Sequence, residues 1–247
     1  MTGHPSTSCI LRLDGVVKRF GGLIAVNDVS MEIKAGEIVG ILGPNGSGKT
    51  TLFATVSGFL KPNAGTIEFD GNPIHGMQPH RICRLGLART FQIVQPFAGL
   101  CVFDNVVVGC LASGASLQAA RARAAEIVEF VGMGARRDHM AAELSLPDRK
   151  RLELAKALST GPKLILLDEI MAGLRPAEVS VAVDLIKRIA ALGITILIVE
   201  HLMQAIMALC ERIYVIHHGS LIASGDPAAV MQDNAVIDAY FGEAHSA

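Results

Sequence analysis

At 247 residues, with 51% hydrophobic and 18% charged residues, the chain can bury one sizeable core with room for a subdomain, and this composition excludes extended disorder away from its ends. With 22 basic and 23 acidic residues the net charge is -1, which excludes bulk attraction to nucleic acid or to an anionic membrane. No stretch approaches the roughly twenty apolar residues of a membrane span, and residues 1–9 hold neither a basic cluster nor an apolar run, so a cytosolic chain without a secretory leader is expected.

Cys9, Cys83, Cys101, Cys110 and Cys210 are scattered without a CxxC pair, which suits reduced, mostly buried thiols. His75, His80 and Cys83 supply three ligand-type side chains, but in a turn-rich segment with no evident fourth, so no metal site is expected there.

In chain order, Ile10 to Val17 and Val26 to Ile33 read as strands, linked by a loop holding Lys18-Arg19-Phe20-Gly21-Gly22. Phe20 beside two glycines is placed either to stack on a nucleotide base or to cap an edge of the core. Glu37 to Leu42 is a short apolar strand. It runs into Gly43-Pro44-Asn45-Gly46-Ser47-Gly48-Lys49-Thr50-Thr51, and Leu52 to Val56 continues as a helix. This is the context a phosphate-binding loop requires: glycines let the backbone approach an anion, and the new helix presents free N–H groups and the positive end of its dipole. Asn45 to Thr51 are the candidate binding residues, with Lys49 neutralising outer phosphates and Thr50 offering its hydroxyl to a magnesium ion.

Gly65 to Gly71 is a third strand closed by Asp70-Gly71, and the three make a plausible antiparallel sheet. The basic residues from Arg81 to Arg89 lack a stacking platform and read as a solvated face rather than a nucleic-acid interface. Ser116 to Val131 is Ala-rich, with Ala124, Ile127, Val128 and Val131 on one apolar side of a helix. Ser145-Leu146-Pro147-Asp148 is a helix start: Ser145 as N-cap, proline in the first turn and an acid three residues after the cap.

Lys163 to Leu167 is a buried strand ending in two carboxylates, Asp168 and Glu169, at the carboxyl end where parallel sheets bind ligands. Asp168 is suited to hold magnesium through water, and Glu169 to accept a proton from attacking water. Ile194 to Val199 is a second such strand, ending in Glu200-His201, and a parallel arrangement brings His201 to the same edge. Ile213 to Ile216 and Ser220 to Ala223 read as a hairpin around His217-His218-Gly219.

The order Phe20, phosphate loop, Gln92, Ser145 helix, Asp168-Glu169, His201 resembles the nucleotide-binding subunits of ABC transporters over nearly the full chain. Their A-loop, Walker A, Q-loop, signature, Walker B and switch occur in that order. The resemblance implies an α/β fold, a P-loop NTPase core with an antiparallel β subdomain and a helical subdomain at about residues 90–155, in a single domain spanning 1–247. It implies ATP and Mg2+, a head-to-tail dimer with a second ATPase subunit, identical or not, and transmembrane permease subunits. A periplasmic or extracellular substrate-binding protein is an indirect partner, and the location is the cytoplasmic side of the cell (inner) membrane. It makes Phe20 the adenine platform, with Val26 touching the base, and Gln92 a magnesium ligand and coupling residue. Glu169 is then the general base, His201 the sensor of the terminal phosphate, and Ser145 a contact to the other subunit's nucleotide.

Gly86 to Gln92, Arg19 to Ser30 and a tail of about residues 225–247, with Gly225-Asp226-Pro227 and Ala239-Tyr240-Phe241-Gly242, are similar to one branch. These are the ATP-binding subunits of branched-chain amino-acid importers, the LivG type. ATPases of urea and amide importers and of lipopolysaccharide export are close to this branch, and soluble non-transport ABC ATPases share the wider family. Two departures stand out. Leu144-Ser145-Leu146-Pro147-Asp148 replaces the usual Leu-Ser-Gly-Gly-Gln, and Ile170 stands where proline is frequent. Pro147 has no N–H, and one donor to a charged acceptor is worth about 1.5–3 kcal/mol.

Overall fold

A computed structural model describes residues 8–91 and 96–241. Two long strands come first, β1 (Cys9–Phe20) and β2 (Leu23–Lys34), paired antiparallel down to Phe20 opposite Leu23. The turn is therefore Gly21-Gly22 alone, and the longer loop expected from residue 18 onward is strand, because Lys18 and Arg19 keep partners in β2. Next come β3 (Ile38–Leu42) and α1 (Lys49–Val56). β4 (Ala64–Phe69) returns antiparallel to β1, as expected, and β5 (Asn72–Pro73) is a short addition. These strands form a sheet in the order β2-β1-β4-β5.

α2 (Pro79–Leu85) leads through Gly86 into β6 (Leu87–Arg89). Three helices come after it, α3 (Val102–Ala112), α4 (Leu117–Phe130) and α5 (Leu146–Ser159), and they pack on one another. Ser116 caps α4, and Ala124, Ile127, Val128 and Val131 are all buried, as the helical period requires. β7 (Leu164–Asp168), α6 (Pro176–Ala190), β8 (Thr195–Val199) and α7 (Met203–Leu209) alternate as strand and crossover helix. The hairpin of β9 (Arg212–His217) and β10 (Ser220–Gly225) turns at His218-Gly219, and α8 (Pro227–Val230) and α9 (Asn234–Phe241) close the described chain.

The second sheet runs β10-β9-β3-β8-β7-β6, parallel throughout except for β10. All residues of β3, β7 and β8 are buried, so, apart from Thr195 at the start of β8 and Asp168 at the end of β7, their sequences are apolar runs rather than alternations. Alternate residues nevertheless face different cores. Leu42, Leu167 and Ile198 pack with the helices, whereas Ile41, Leu166 and Val199 pack with α1 and the antiparallel sheet. Register puts Ile41 and Asp168 on either side of Val199. The three strands therefore end level, and the residues just beyond their carboxyl ends gather at one edge.

Candidate nucleotide site

The loop after β3 folds as it does because two of its glycines sit where no side chain fits. Gly43 has φ 151°, and a Cβ there would run into the Ile216 carbonyl; Gly48 has φ 107°, and a Cβ would run into the Ala25 carbonyl. Gly48 is the N-cap of α1 and supplies no side-chain hydrogen bond, and the first turn holds no acid. The first N–H groups of α1 are thus left for an anion.

Lys49 is buried, and its Nζ donates to the carbonyls of Gly43 at 2.7 Å and Pro44 at 2.8 Å, folding over the loop. Burial pushes the ammonium pKa down, opposed by the charges of Glu169 and Asp168 nearby. Lys49 is therefore a cation in a dry place, held by carbonyls with the charges of two carboxylates nearby, a setting in which phosphate oxygens are better partners than carbonyls.

The carboxylates come from the end of β7. Asp168 is 1% exposed; its Oδ2 accepts from Arg89 Nη2 at 2.9 Å, while its Oδ1 is buried with no hydrogen-bond partner among the described residues. An orphaned, buried carboxylate oxygen beside a helix start that bears a threonine hydroxyl is the hard oxygen donor set that suits Mg2+ and its water shell. Glu169 comes next with φ 48°, a left-handed conformation costing on the order of 1–3 kcal/mol in a residue of this kind. Its N–H donates to the Val199 carbonyl at 2.9 Å, which fixes the turn. Its Oε1 lies 2.9 Å from His201 Nε2, from the end of β8. His201 and Glu169, 32 positions apart in the chain, thus meet at the sheet edge as the parallel reading anticipates.

The remaining expected residues divide between support and correction. Phe20 is 46% exposed at the hairpin tip, with Lys18 Nζ 5.1 Å from its ring centre, so it caps no core. Val26 is a correction: it is 1% exposed and packs into the core with Val29, Met31 and Ile33, whereas Leu23 and Ile24 at the hairpin end of β2 are exposed, so it has no surface for a base. Gln92 lies outside the described residues. Ser145 caps α5, as its sequence predicts. Its Oγ donates to Asp148 Oδ2 at 2.5 Å, and the Asp148 N–H points back to it at 3.4 Å. Asp148 is also paired with Arg136 at 2.5 Å. Its charge is turned into the cap and does not project ahead of the helix. Ile170 is 1% exposed and simply fills the core.

Three residues escaped the sequence reading. Arg89, expected on a solvated face, has a side chain only 9% exposed and is paired to Asp168. The sign available was its place at the end of a short apolar run, like Asp168 itself. Glu200 is buried, accepts from the Met171 N–H at 2.7 Å, and has its pKa raised by burial. Lys150 of α5 is buried with its Nζ 3.3 Å from the Glu169 carbonyl; burial lowers its pKa, against the pull of Glu200 and Glu169.

Comparison with known proteins agrees with this geometry. The profile of the family described as "ABC transporter" matches residues 26–172, and that of "Branched-chain amino acid ATP-binding cassette transporter" matches residues 220–246. The chain is 38% identical to the high-affinity branched-chain amino acid transport ATP-binding protein LivG of Salmonella typhimurium, over 95% of this chain and 98% of that one. It is also 38% identical to the lipopolysaccharide export system ATP-binding protein LptB of Escherichia coli, over 94% of this chain and 97% of that one. Among solved structures, the ADP conformation of the ABC transporter cassette MJ1267 superposes with a TM-score of 0.87 at 33% identity, covering 96% of this chain and 100% of that one. A strand-to-helix phosphate loop, a level row of carboxylates and histidine, and full-length similarity to transporter cassettes agree: the chain belongs to the ABC transporter family, as one of its ATP-binding, ATP-hydrolysing subunits.

Proposed function

We propose that the chain powers a membrane importer for branched-chain or related amino acids. The observation that carries its chemistry is the Glu169–His201 contact of 2.9 Å at the mouth of the phosphate loop. The tail match and the similarity to LivG support the cargo class.

In this reading Phe20 stacks on adenine, and the backbone of Asn45, Gly46, Ser47, Gly48 and Thr51 cradles the phosphates. Lys49 exchanges the Gly43 and Pro44 carbonyls for β- and γ-phosphate oxygens. Thr50, Asp168 and Gln92 hold Mg2+, which supplies charge neutralisation on the transferring phosphoryl group. Glu169 takes the proton from the attacking water, and His201 holds the Glu169 carboxylate in line and senses the γ-phosphate.

The chain acts as one cassette whose helical part, about residues 90–155, meets the permease, and whose tail from about residue 225 is of the family's own type. No helix among the described residues is long and apolar enough to cross a membrane. In this reading attachment to the cytoplasmic face runs through permease subunits, as the names of the transporter relatives support. A second ATPase subunit completes the ATP sites with its own signature helix, and Ser145 contributes to the partner's site. A substrate-binding protein on the far side selects the cargo. Pro147 lies in the first turn of α5, and Asp148 fills its start. The site completed by this α5 is therefore the weaker of two, which favours a non-identical second subunit.

Similarity to LptB supports a second reading, lipopolysaccharide export. Affinity capture of the tagged protein from native membranes, with mass spectrometry of its companions, separates the readings. Two polytopic permeases of importer type and a second ATPase are expected. Export-type permeases would favour the second reading, and purely soluble companions would refute transport.

A further inference from the structure

Arg89 joins two places that the reaction itself does not connect. Its Nη2 donates to Asp168 Oδ2 at 2.9 Å and its Nη1 to Ser57 Oγ at 3.2 Å, so the fork spans the end of β7 and the end of α1. The guanidinium carbon also lies 6.0, 5.8 and 5.3 Å from the ring centres of Phe53, Phe59 and Phe91. Phe53 is fully buried, but Phe59 and Phe91 meet edge to face at 5.5 Å with 53% and 39% of their surface exposed. Arg89, Phe59, Phe91 and Phe97 line one cleft of about 350 Å³, whose other wall is α3 and α5. A cation nine-tenths buried therefore has its polar side on a carboxylate of the nucleotide site and its flat faces among the rings of an open cleft.

The Asp168 carboxylate has two oxygens and, among the described residues, one hydrogen-bond partner, Arg89. Because Arg89 takes Oδ2, the buried Oδ1 is the oxygen left for a ligand. A lysine in place of Arg89 would keep the charge but not the two-pronged grip on Asp168 and Ser57. We infer that Arg89 is a positioning residue: by pinning Oδ2 it aims Oδ1 at the water shell of the nucleotide's divalent cation, and it makes the aromatic wall of the cleft part of that cation's support. This rests on the reading of the edge as a Mg-ATP site. It predicts that a change confined to the cleft wall is felt as a change in Mg2+ demand, with the phosphate loop itself untouched.

The test is equilibrium binding of a fluorescent ATP analogue to the full chain, with excess EDTA and then across a Mg2+ titration. Three variants are compared with wild type, Arg89→Gln, Arg89→Lys and Phe59→Leu. Affinity in EDTA should stay within about twofold for all of them, since no phosphate contact is altered. The Mg2+ concentration giving half of the metal-dependent tightening should rise about tenfold in Arg89→Gln, from loss of a charged hydrogen bond. It should rise about threefold in Arg89→Lys and Phe59→Leu. Arg89→Lys and Phe59→Leu keep a cation beside Asp168 and carry the test if Arg89→Gln does not fold. Equal weakening with and without Mg2+ would make Arg89 a purely structural brace and overturn the inference, as would an unchanged Mg2+ midpoint. Wild-type protein that binds the analogue with no Mg2+ dependence would overturn the reading of the site as well, a result distinct from the other two.

Discussion

Two helices of this protein begin at places where phosphate is expected, and they begin in opposite ways. α1 starts at Gly48 with no side-chain cap and no acid in its first turn. α5 starts at Ser145 with a proline in its first turn, and its third residue, Asp148, turns back to its own cap. Thr51 is the third residue of α1, the counterpart of Asp148. One helix start is built open to an anion and the other is closed by an internal one. Sequence similarity to transporter cassettes extends along nearly the whole chain, yet these two helix starts are not built alike.

The largest effect tests whether the open start is the reacting one. Glu169→Gln should cut ATP turnover by about 10²- to 10⁴-fold while ATP still binds and holds the dimer closed; hydrolysis at the wild-type rate would remove Glu169 as the base. Next, Thr51→Asp imposes the α5 arrangement on α1. ATP affinity, read by calorimetry, should fall about 10- to 100-fold through lost N–H donors and added negative charge. Little change would mean that α1 is not the anion site.

The reverse experiment is gentler. Pro147→Gly with Asp148→Gln restores an N–H and removes the inner acid, and should raise per-site turnover up to about tenfold in the assembled dimer. Unchanged turnover and ATP affinity would dispose of the asymmetric pairing.

The smallest effect concerns the buried carboxyl of Glu200, just beyond β8, which has buried Lys150 of α5 near it. Burial raises the Glu200 pKa even with Lys150 near, so the folded chain keeps this proton longer than the unfolded one. Stability is thus lost as pH rises from the ordinary carboxylate value through the raised one. Glu200→Gln has no such slope. Its stability relative to wild type, from urea unfolding, should increase as pH rises above the ordinary carboxylate value of about 4.5, and a constant or shrinking difference would contradict the burial argument.

What the sequence revealed was whatever is local. The loop from Gly43 to Thr51, the acids ending β7 and the Ser145-Asp148 cap are each contained within a few residues, so spacing and strand composition suffice to see them. The level ends of β3, β7 and β8 were also within reach, because parallel apolar strands leave their polar residues at one edge. Arg89 was not. Its partner is 79 positions away, and only the register of β6 against β7 reveals that two short apolar runs deliver opposite charges side by side. Val26 failed for the converse reason, since a motif can assign a valine to a base without knowing which face of β2 the core claims. Glu200 and Lys150 were invisible because their burial depends on α5 packing over the strand ends.

Gly219 carries a last consequence. Its N–H donates to the Ser47 carbonyl at 2.9 Å, and its own carbonyl accepts from the Asn27 N–H at 2.8 Å. A Cβ on it would crowd the Ala25 carbonyl and the Asn27 nitrogen. One residue thus joins the hairpin bearing Phe20 to the loop that leads into Lys49, like the pivot between two jaws of a caliper. On the nucleotide reading, such a gauge measures the span from base to terminal phosphate. On that same reading inorganic triphosphate would fill one jaw and adenosine the other, and only a molecule of the full span would be gripped at both ends.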